Sequence, residues 1–175
     1  MQEIIERISK VFSVEEVVQQ NNHQWFITVP KKQALESVTY LRDREGFVHF
    51  VLLSCADWIE SGKFQLTYLL NHPVKKIDLG IRVFIDRENA EMESAHYLWE
   101  QIATYQRELY EMFGINFPNS PRLTDPLLLE GWDNIPPMRR DFDTLKYVEE
   151  TYFPTPGRKS NDPGTYMKEK LYPNE

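Results

Sequence analysis

The sequence predicts an α+β domain, a mostly antiparallel sheet of about four strands with helices packed on it, followed by a long extended proline-rich C-terminal tail. Three observations carry this reading. Apolar residues run or alternate as in strands over 24–29, 47–56, 64–70 and 77–85. They recur at three-and-four spacing near the N-terminus, over 31–45 and over 95–113, as in amphipathic helices. Of the eleven prolines, Pro30 and Pro73 precede Gly114 and nine follow it.

Taken in order, Ile4, Ile5, Ile8, Val11 and Phe12 form a short amphipathic helix. Ser13 followed by Glu16 matches a capping box and predicts one or two further helical turns through Val17 and Val18. A polar break over 19–23 leads to a strand with Trp25, Ile27 and Val29 on one face, ended by Pro30. The 31–45 helix turns Ala34, Leu35, Val38 and Leu41 inward and stops at Gly46. The strand over 47–56 meets a hairpin turn at Glu60, Ser61, Gly62 and Lys63, and 64–70 returns. Asn71, His72 and Pro73 turn again. Ile77, Leu79, Ile81, Val83 and Ile85 then alternate along the third strand of a meander.

The last helix has the clearest ends. Ser94 is a good N-cap, because its hydroxyl can accept an unpaired first-turn amide. Ala95, Leu98, Trp99, Ile102, Tyr105, Leu109, Met112 and Phe113 make a buried stripe that also contains Gln106. Glu100, Thr104, Arg107 and Glu111 lie opposite, with Arg107 and Glu111 four apart and able to pair. Gly114 supplies the left-handed stop, and Ile115 folds back on Tyr110. Beyond it the chain keeps Phe117, Leu127, Leu128, Leu129, Trp132, Met138, Phe142, Tyr152 and Phe153, whereas disordered tails are poor in such residues. A long irregular segment rich in apolar side chains needs a surface to lie on, and its length favours a partner. The expected division is an α+β domain over 1–117 and a partner-binding tail over 118–175.

Composition narrows the function. A net charge of −7 disfavours nucleic acid, whose phosphates repel it. The single cysteine, Cys55, can form neither an iron–sulfur cluster nor a structural zinc site nor an internal disulfide, and it suits a reducing compartment. The acid-containing N-terminus does not read as a signal peptide, and no apolar run approaches the roughly 20 residues that span a bilayer. Membrane association is therefore expected only through partners. The seven scattered glycines build neither a phosphate loop nor a dinucleotide fingerprint. His23, His49, His72 and His96 lack metal-ligand spacing, and His49 and Cys55 sit about 20 Å apart along one strand face. No cofactor is expected.

The remaining chemical candidates are charged. Glu108 and Glu111 are carboxylates at helical spacing, open to three readings: a partner interface, a solvated face offset by Arg107, or acid–base chemistry, which would need unequal environments. Arg139, Arg140 and Asp141 can grip a phosphate or carboxylate with guanidinium forks, or anchor a partner by salt bridges. Trp99 reads as core and Trp132 as an interface anchor, since tryptophan is enriched among binding hot spots.

The run Gln106, Arg107, Glu108, Leu109, Tyr110, Glu111, Met112, Phe113, Gly114, Ile115 resembles the signature of the complex I 30-kDa subunit family, the C-type subunits of NADH-quinone oxidoreductase. The same family serves complex I-like membrane-bound nickel–iron hydrogenases. The family pattern is Glu-Arg-Glu, two residues, an acid, two residues, then Gly-Ile. Pro121, Leu123, Trp132, Pro137 and the run Arg139, Arg140, Asp141, Phe142 match its later pieces. Departures are Gln106 for Glu, Asn119 and Ser120 for Gly-His, Asp125 for Arg and Met138 for Leu. The resemblance implies a non-catalytic structural or assembly subunit without a cofactor. It would be peripheral on the cytoplasmic face of the membrane, beside a large catalytic subunit (49-kDa or hydrogenase large-subunit type) and a small iron–sulfur subunit. It implies a partner interface formed by Arg107, Glu108, Glu111, Phe113, Gly114, Trp132, Arg139, Arg140 and Asp141. The departures favour a ferredoxin-dependent, H2-evolving hydrogenase coupled to ion translocation. The alternatives are the C-type subunit of a quinone-reducing complex I (NADH or ferredoxin dehydrogenase) and a free-standing protein-binding module.

Overall fold

A computed structural model of the 175-residue chain describes residues 1–152. The chain divides by its contacts into Met1–Arg139 and a second unit that begins at Arg140. In the first unit the order is α1 (Gln2–Ser9), β1 (Glu16–Gln19), β2 (Gln24–Thr28), α2 (Ala34–Arg44), β3 (His49–Trp58), β4 (Lys63–His72), β5 (Ile77–Asp86) and α3 (Ile102–Phe113). A 3-10 turn over Lys31–Gln33 leads into α2, and another over Ile59–Ser61 joins β3 to β4. In the second unit, α4 spans Thr144–Tyr152, and the rings of Phe142 and Tyr147 lie 5.5 Å apart. The rest of the expected tail, 153–175, lies outside the described residues.

The sheet has five strands in the order β1-β2-β5-β4-β3, and it is mixed. The expected meander β3-β4-β5 is antiparallel, but β2 pairs with β5 in parallel, Ile27 opposite Ile81. The expectation of about four antiparallel strands is therefore corrected on two counts. α2 and the meander carry the chain back so that β5 runs alongside β2 in the same direction. The fifth strand, β1, is formed by residues expected to be helical. Ser13 does not cap a helix. Its amide donates instead to the Gln33 side chain (2.8 Å), and Val17 and Val18 pair with Ile27 and Phe26. The β-branched pair favours the pleated surface once β2 offers an edge.

Alternation along the strands gives the sheet two unlike faces. Phe64, Leu66, Tyr68, Leu70, Leu79, Ile81, Val83 and Ile85 are buried beside Ile4 and Ile8 of α1, Val38 and Leu41 of α2, and Ile102 and Leu109 of α3. The other face carries Lys63, Gln65, Thr67, Asn71, Asp78, Arg82 and Phe84. There Phe26 lies over Gly80, and the Arg82 guanidinium sits 4.1 Å from the Phe26 ring centre.

α3 begins at Ile102, not after Ser94. The preceding stretch forms single turns closed by Leu98 N to Ala95 O and Ile102 N to Trp99 O. Tertiary hydrogen bonds hold it in that form. Trp99 Nε1 donates to Val48 O, Gln101 Nε2 to Phe50 O and Tyr105 Oη to Val51 O, at 3.0, 3.0 and 3.2 Å. The Ser94 hydroxyl is directed inward to the Gln106 carbonyl oxygen (2.7 Å). The stop is as expected: Gly114 has φ +77°, its amide donates to Tyr110 O, and Ile115 N reaches Leu109 O.

Candidate partner-docking site

The site begins at the C-terminal half of α3. Leu109 and Phe113 face the core, with the Phe113 ring edge-on to Phe64 at 5.8 Å. That orientation sends Arg107, Tyr110 and Glu111 towards the segment that follows Gly114, while Glu108 is exposed. Residues 118–139 lie within the first compact unit. Met138 N donates to Met112 O at 3.0 Å, and the Pro136 ring lies 3.3 Å from where a Cβ on Gly114 would be. A glycine suits this left-handed position, and any side chain there would force the Pro136 ring to give way by a few tenths of an ångström.

Glu111 fixes the loop. Its Oε1 accepts the amides of Leu127 and Leu129, each at 2.9 Å, and its Oε2 accepts that of Leu128 at 2.9 Å. Three consecutive amides converging on one anion form a nest of the kind that binds phosphates and carboxylates. Burial pushes the Glu111 carboxyl up, but the three amides and the nearby Arg107 outweigh it and hold the carboxyl below its ordinary value. Arg107 turns to the same loop and donates from Nη2 to Pro126 O at 3.3 Å. Its Nε is buried without a partner among the described residues. Both members of the anticipated helix pair thus secure the 126–129 backbone.

The loop closes on itself at Trp132, whose amide donates to Leu129 O (3.1 Å) and whose Nε1 donates to Ile135 O (3.0 Å). A cleft of about 420 Å³ opens between it and the helix end, lined by Tyr110, Glu111, Asp125, Pro126, Trp132 and Pro136 among others. Around it, Leu128 is 72% exposed, Met138 59% and Ile135 42%. Arg139 lies with its guanidinium 5.6 Å from the Phe64 ring centre. Arg140 and Asp141 are exposed and open the second unit.

Beneath the helix lies a polar cluster. Gln106 is fully buried, and its Oε1 accepts the hydroxyls of Ser94 (2.7 Å) and Ser120 (2.8 Å). Ser94 Oγ also meets His96 Nδ1 at 2.8 Å. The cluster ties the turn before α3 to the segment after it, so Ser120 and Gln106 position the loop from below. Cys55 lies outside the site, and burial followed by Asp57 pushes its thiol up to about 12. Among the described residues no group of three or more His, Cys, Asp or Glu side chains is arranged to hold a metal ion.

Of the nine anticipated site residues, Arg107, Glu111, Gly114 and Trp132 meet around one loop, with Phe113 beneath them and Arg139 beside Phe64. Sequence reasoning missed the amides of Leu127, Leu128 and Leu129, because backbone donors carry no residue-type signal. It also missed Tyr110 as a cleft wall, although a large aromatic off the buried stripe was there to be noticed.

Residues 27–148 match the family described as "Respiratory-chain NADH dehydrogenase, 30 Kd subunit". The chain belongs to this family. Among curated relatives, it is 28% identical over 116 residues to the C-type subunit of NADH-quinone oxidoreductase from Moorella thermoacetica, covering 66% of this chain and 78% of that one. It is 26% identical over 152 residues to a C/D-type subunit of NADH-quinone oxidoreductase from Aquifex aeolicus, covering 86% of this chain but only 25% of that one. Its fold is similar to that of a chain in the archaeal membrane-bound sulfane sulfur reductase, with a TM-score of 0.78 at 21% identity over 92% of this chain and 96% of that one. A trypsin-resistant fragment of Nqo5 matches with a TM-score of 0.58 at 19% identity, over 69% and 96%. The 30-kDa family match takes in all of α3, the Glu111-anchored loop and the Arg139–Phe142 run.

Proposed function

We propose that the chain is a non-catalytic structural subunit of a complex I-like membrane-bound oxidoreductase, and that the end of α3 with residues 118–139 docks on the large catalytic subunit. The observation that carries this is an exposed apolar rim, Leu128, Ile135 and Met138, on a loop that the protein itself holds rigidly through Glu111 and Arg107. A loop pre-shaped in this way loses little entropy on binding, and an apolar rim gains by leaving water. Glu108 adds exposed charge for the polar edge of this interface, and the small iron–sulfur subunit lies close by in the assembled arm. Arg140 and Asp141, in the second unit, are proposed as partner contacts in their own right. The named relatives, NADH-quinone oxidoreductase subunits, support the role of an accessory chain in such a complex. Among the described residues no helix is long and apolar enough to cross a membrane. The proposed attachment is through partner subunits, on the cytoplasmic face.

The departures at Gln106, Asn119, Ser120 and Asp125 favour a ferredoxin-dependent, H2-evolving complex coupled to ion translocation. The NADH-quinone oxidoreductase relatives favour a second reading, a quinone-reducing complex. The test is to tag this chain in its own cell, extract membranes with mild detergent and identify what copurifies. A large subunit and a small iron–sulfur subunit are expected, and recovery of the chain alone in the soluble fraction would overturn the role. Two CxxC pairs in the large subunit, with bound nickel, would mark the hydrogenase branch; their absence would mark the quinone branch.

A further inference from the structure

The cleft at the end of α3 has a chemistry more specific than an apolar rim. Its walls include two aromatic side chains, Tyr110 and Trp132, and two prolines, Pro126 and Pro136. Among the described residues its charged lining side chains are Glu111 and Asp125, both acidic, with Arg107 near the first and Arg122 paired to the second from outside the lining. Neither carboxylate is exhausted. Glu111 Oε2 takes a single close amide, that of Leu128, and a carboxylate oxygen can accept two donors. Asp125 uses Oδ2 for Arg122 Nε at 2.7 Å, which leaves Oδ1 without a partner among the described residues. Aromatic walls with spare carboxylate acceptors attract cations, first through the ring quadrupole and then through charge.

We infer that this cleft receives the guanidinium of an arginine presented by the partner protein, an inference that rests on reading this face as the partner interface. The guanidinium is planar, so it can stack on an aromatic ring while donating in its own plane to a carboxylate; a lysine ammonium makes no such stack. The volume of about 420 Å³ accommodates an arginine side chain with water to spare. Tyr110 is 36% exposed, so an incoming side chain can reach its ring without displacing packed residues. The carboxylate that shapes the loop would then also face the partner's charge, so the groups that order the loop would also choose what it binds.

The experiment uses the full chain, isotope-labelled for NMR, with three probes: the N-acetyl methylamides of arginine, lysine and citrulline. Citrulline keeps the shape of arginine without its charge. The arginine probe should shift the Trp132 indole N–H and bind about five- to tenfold more tightly than citrulline, with lysine between them. Asp125→Asn and Tyr110→Leu should each reduce the preference for arginine several-fold, while unchanged Leu127, Leu128 and Leu129 amide shifts show that the loop is still folded. Equal binding of arginine and citrulline, or shifts that map elsewhere, would overturn the inference; lysine binding as well as arginine would overturn the choice of guanidinium. The copurification experiment reports separately. A large subunit that copurifies while arginine and citrulline bind alike removes only the cleft inference. A clear arginine preference with no copurifying large subunit removes the proposed role instead.

Discussion

The carboxylate of Glu111 accepts the amide of Leu128 at 2.9 Å, and the neighbouring amides of Leu127 and Leu129 converge on the same group. A single helix side chain thereby orders a stretch of loop that begins sixteen residues downstream. Glu111→Gln should loosen it, because an amide NH2 now faces backbone donors and one of them loses its acceptor. The expected cost is about 1–2 kcal/mol, local to the loop. Hydrogen exchange should accelerate at 127–129 and stay unchanged in β4 and β5; equal protection in both proteins would show that the loop stands without the carboxylate.

The same group gives the loop an acid limit. Its folded pKa lies below its unfolded value of about 4.3. The stabilisation is therefore fully present above that unfolded value and is lost as pH falls through the folded one. Amide shifts of 127–129 followed from neutral pH downward should stay constant until the solution is more acidic than about pH 4. Movement already at pH 5 to 6 would assign the loop's stability elsewhere.

Trp132→Ala and Leu109→Ala should separate docking from folding. Leu109 is buried in the core, so its truncation leaves a cavity costing about 2–5 kcal/mol and lowers the melting temperature. Trp132 lines the cleft at the edge of the unit, and its loss should cost about 2 kcal/mol or more in partner binding. Melting of each isolated variant beside pull-down with the large subunit reads both effects. A Trp132→Ala protein that melts early yet binds normally would place the ring in the fold and not in the interface.

Gly114→Ala tests the close return of the chain. The φ of +77° disfavours any side chain by about 1–2 kcal/mol, and the new methyl would press on Pro136 at 3.3 Å. Both the end of α3 and the loop should suffer, so pull-down should weaken more than melting. Gly62→Ala is the control, since its φ is +64° but a Cβ there meets nothing within 4 Å. If the two variants lose partner binding equally, the Pro136 contact has no special role.

Gly80→Ala probes the other side of the molecule. An added Cβ would lie 2.6 Å from Phe26 Cε1 and nearer still to Cδ1, so the ring must leave its place beneath Arg82. Overpacking of this kind costs about 1–3 kcal/mol. The β1–β2 pair should lose exchange protection before the meander does, and a uniform loss across all five strands would contradict this.

The sequence spoke clearly where local rules decide. Strands β2 to β5 announced themselves by apolar patterning, and Gly46 and Gly114 by their place after amphipathic runs. It misled where tertiary partners outbid a local motif. Ser13 and Glu16 have the spacing of a capping box, but the Ser13 amide has a better acceptor in Gln33, twenty residues on. Ser94 reads as an N-cap, yet its hydroxyl goes to Gln106. Parallel pairing of β2 with β5 left no trace, because side-chain alternation is the same whichever neighbour a strand has. At the candidate site the residues were named but Glu111 was read as facing outward. Its partners are backbone amides, which are invisible to any pattern of side chains.

The parallel register of β2 and β5 also dictates an order of events. β3, β4 and β5 are joined by tight turns, so their association closes only short loops. Setting Gln24 opposite Asp78 instead requires α2 and two complete strands to have been threaded between them. On a ribosome the β1–β2 ribbon is made before the meander and must wait, the β2 edge that will face β5 unsatisfied, until β5 has been made. The nascent chain therefore has a sticky interval set by the speed of translation, and substitutions that slow β5 would show themselves as poor yield of the whole protein before they showed themselves as a lower melting point.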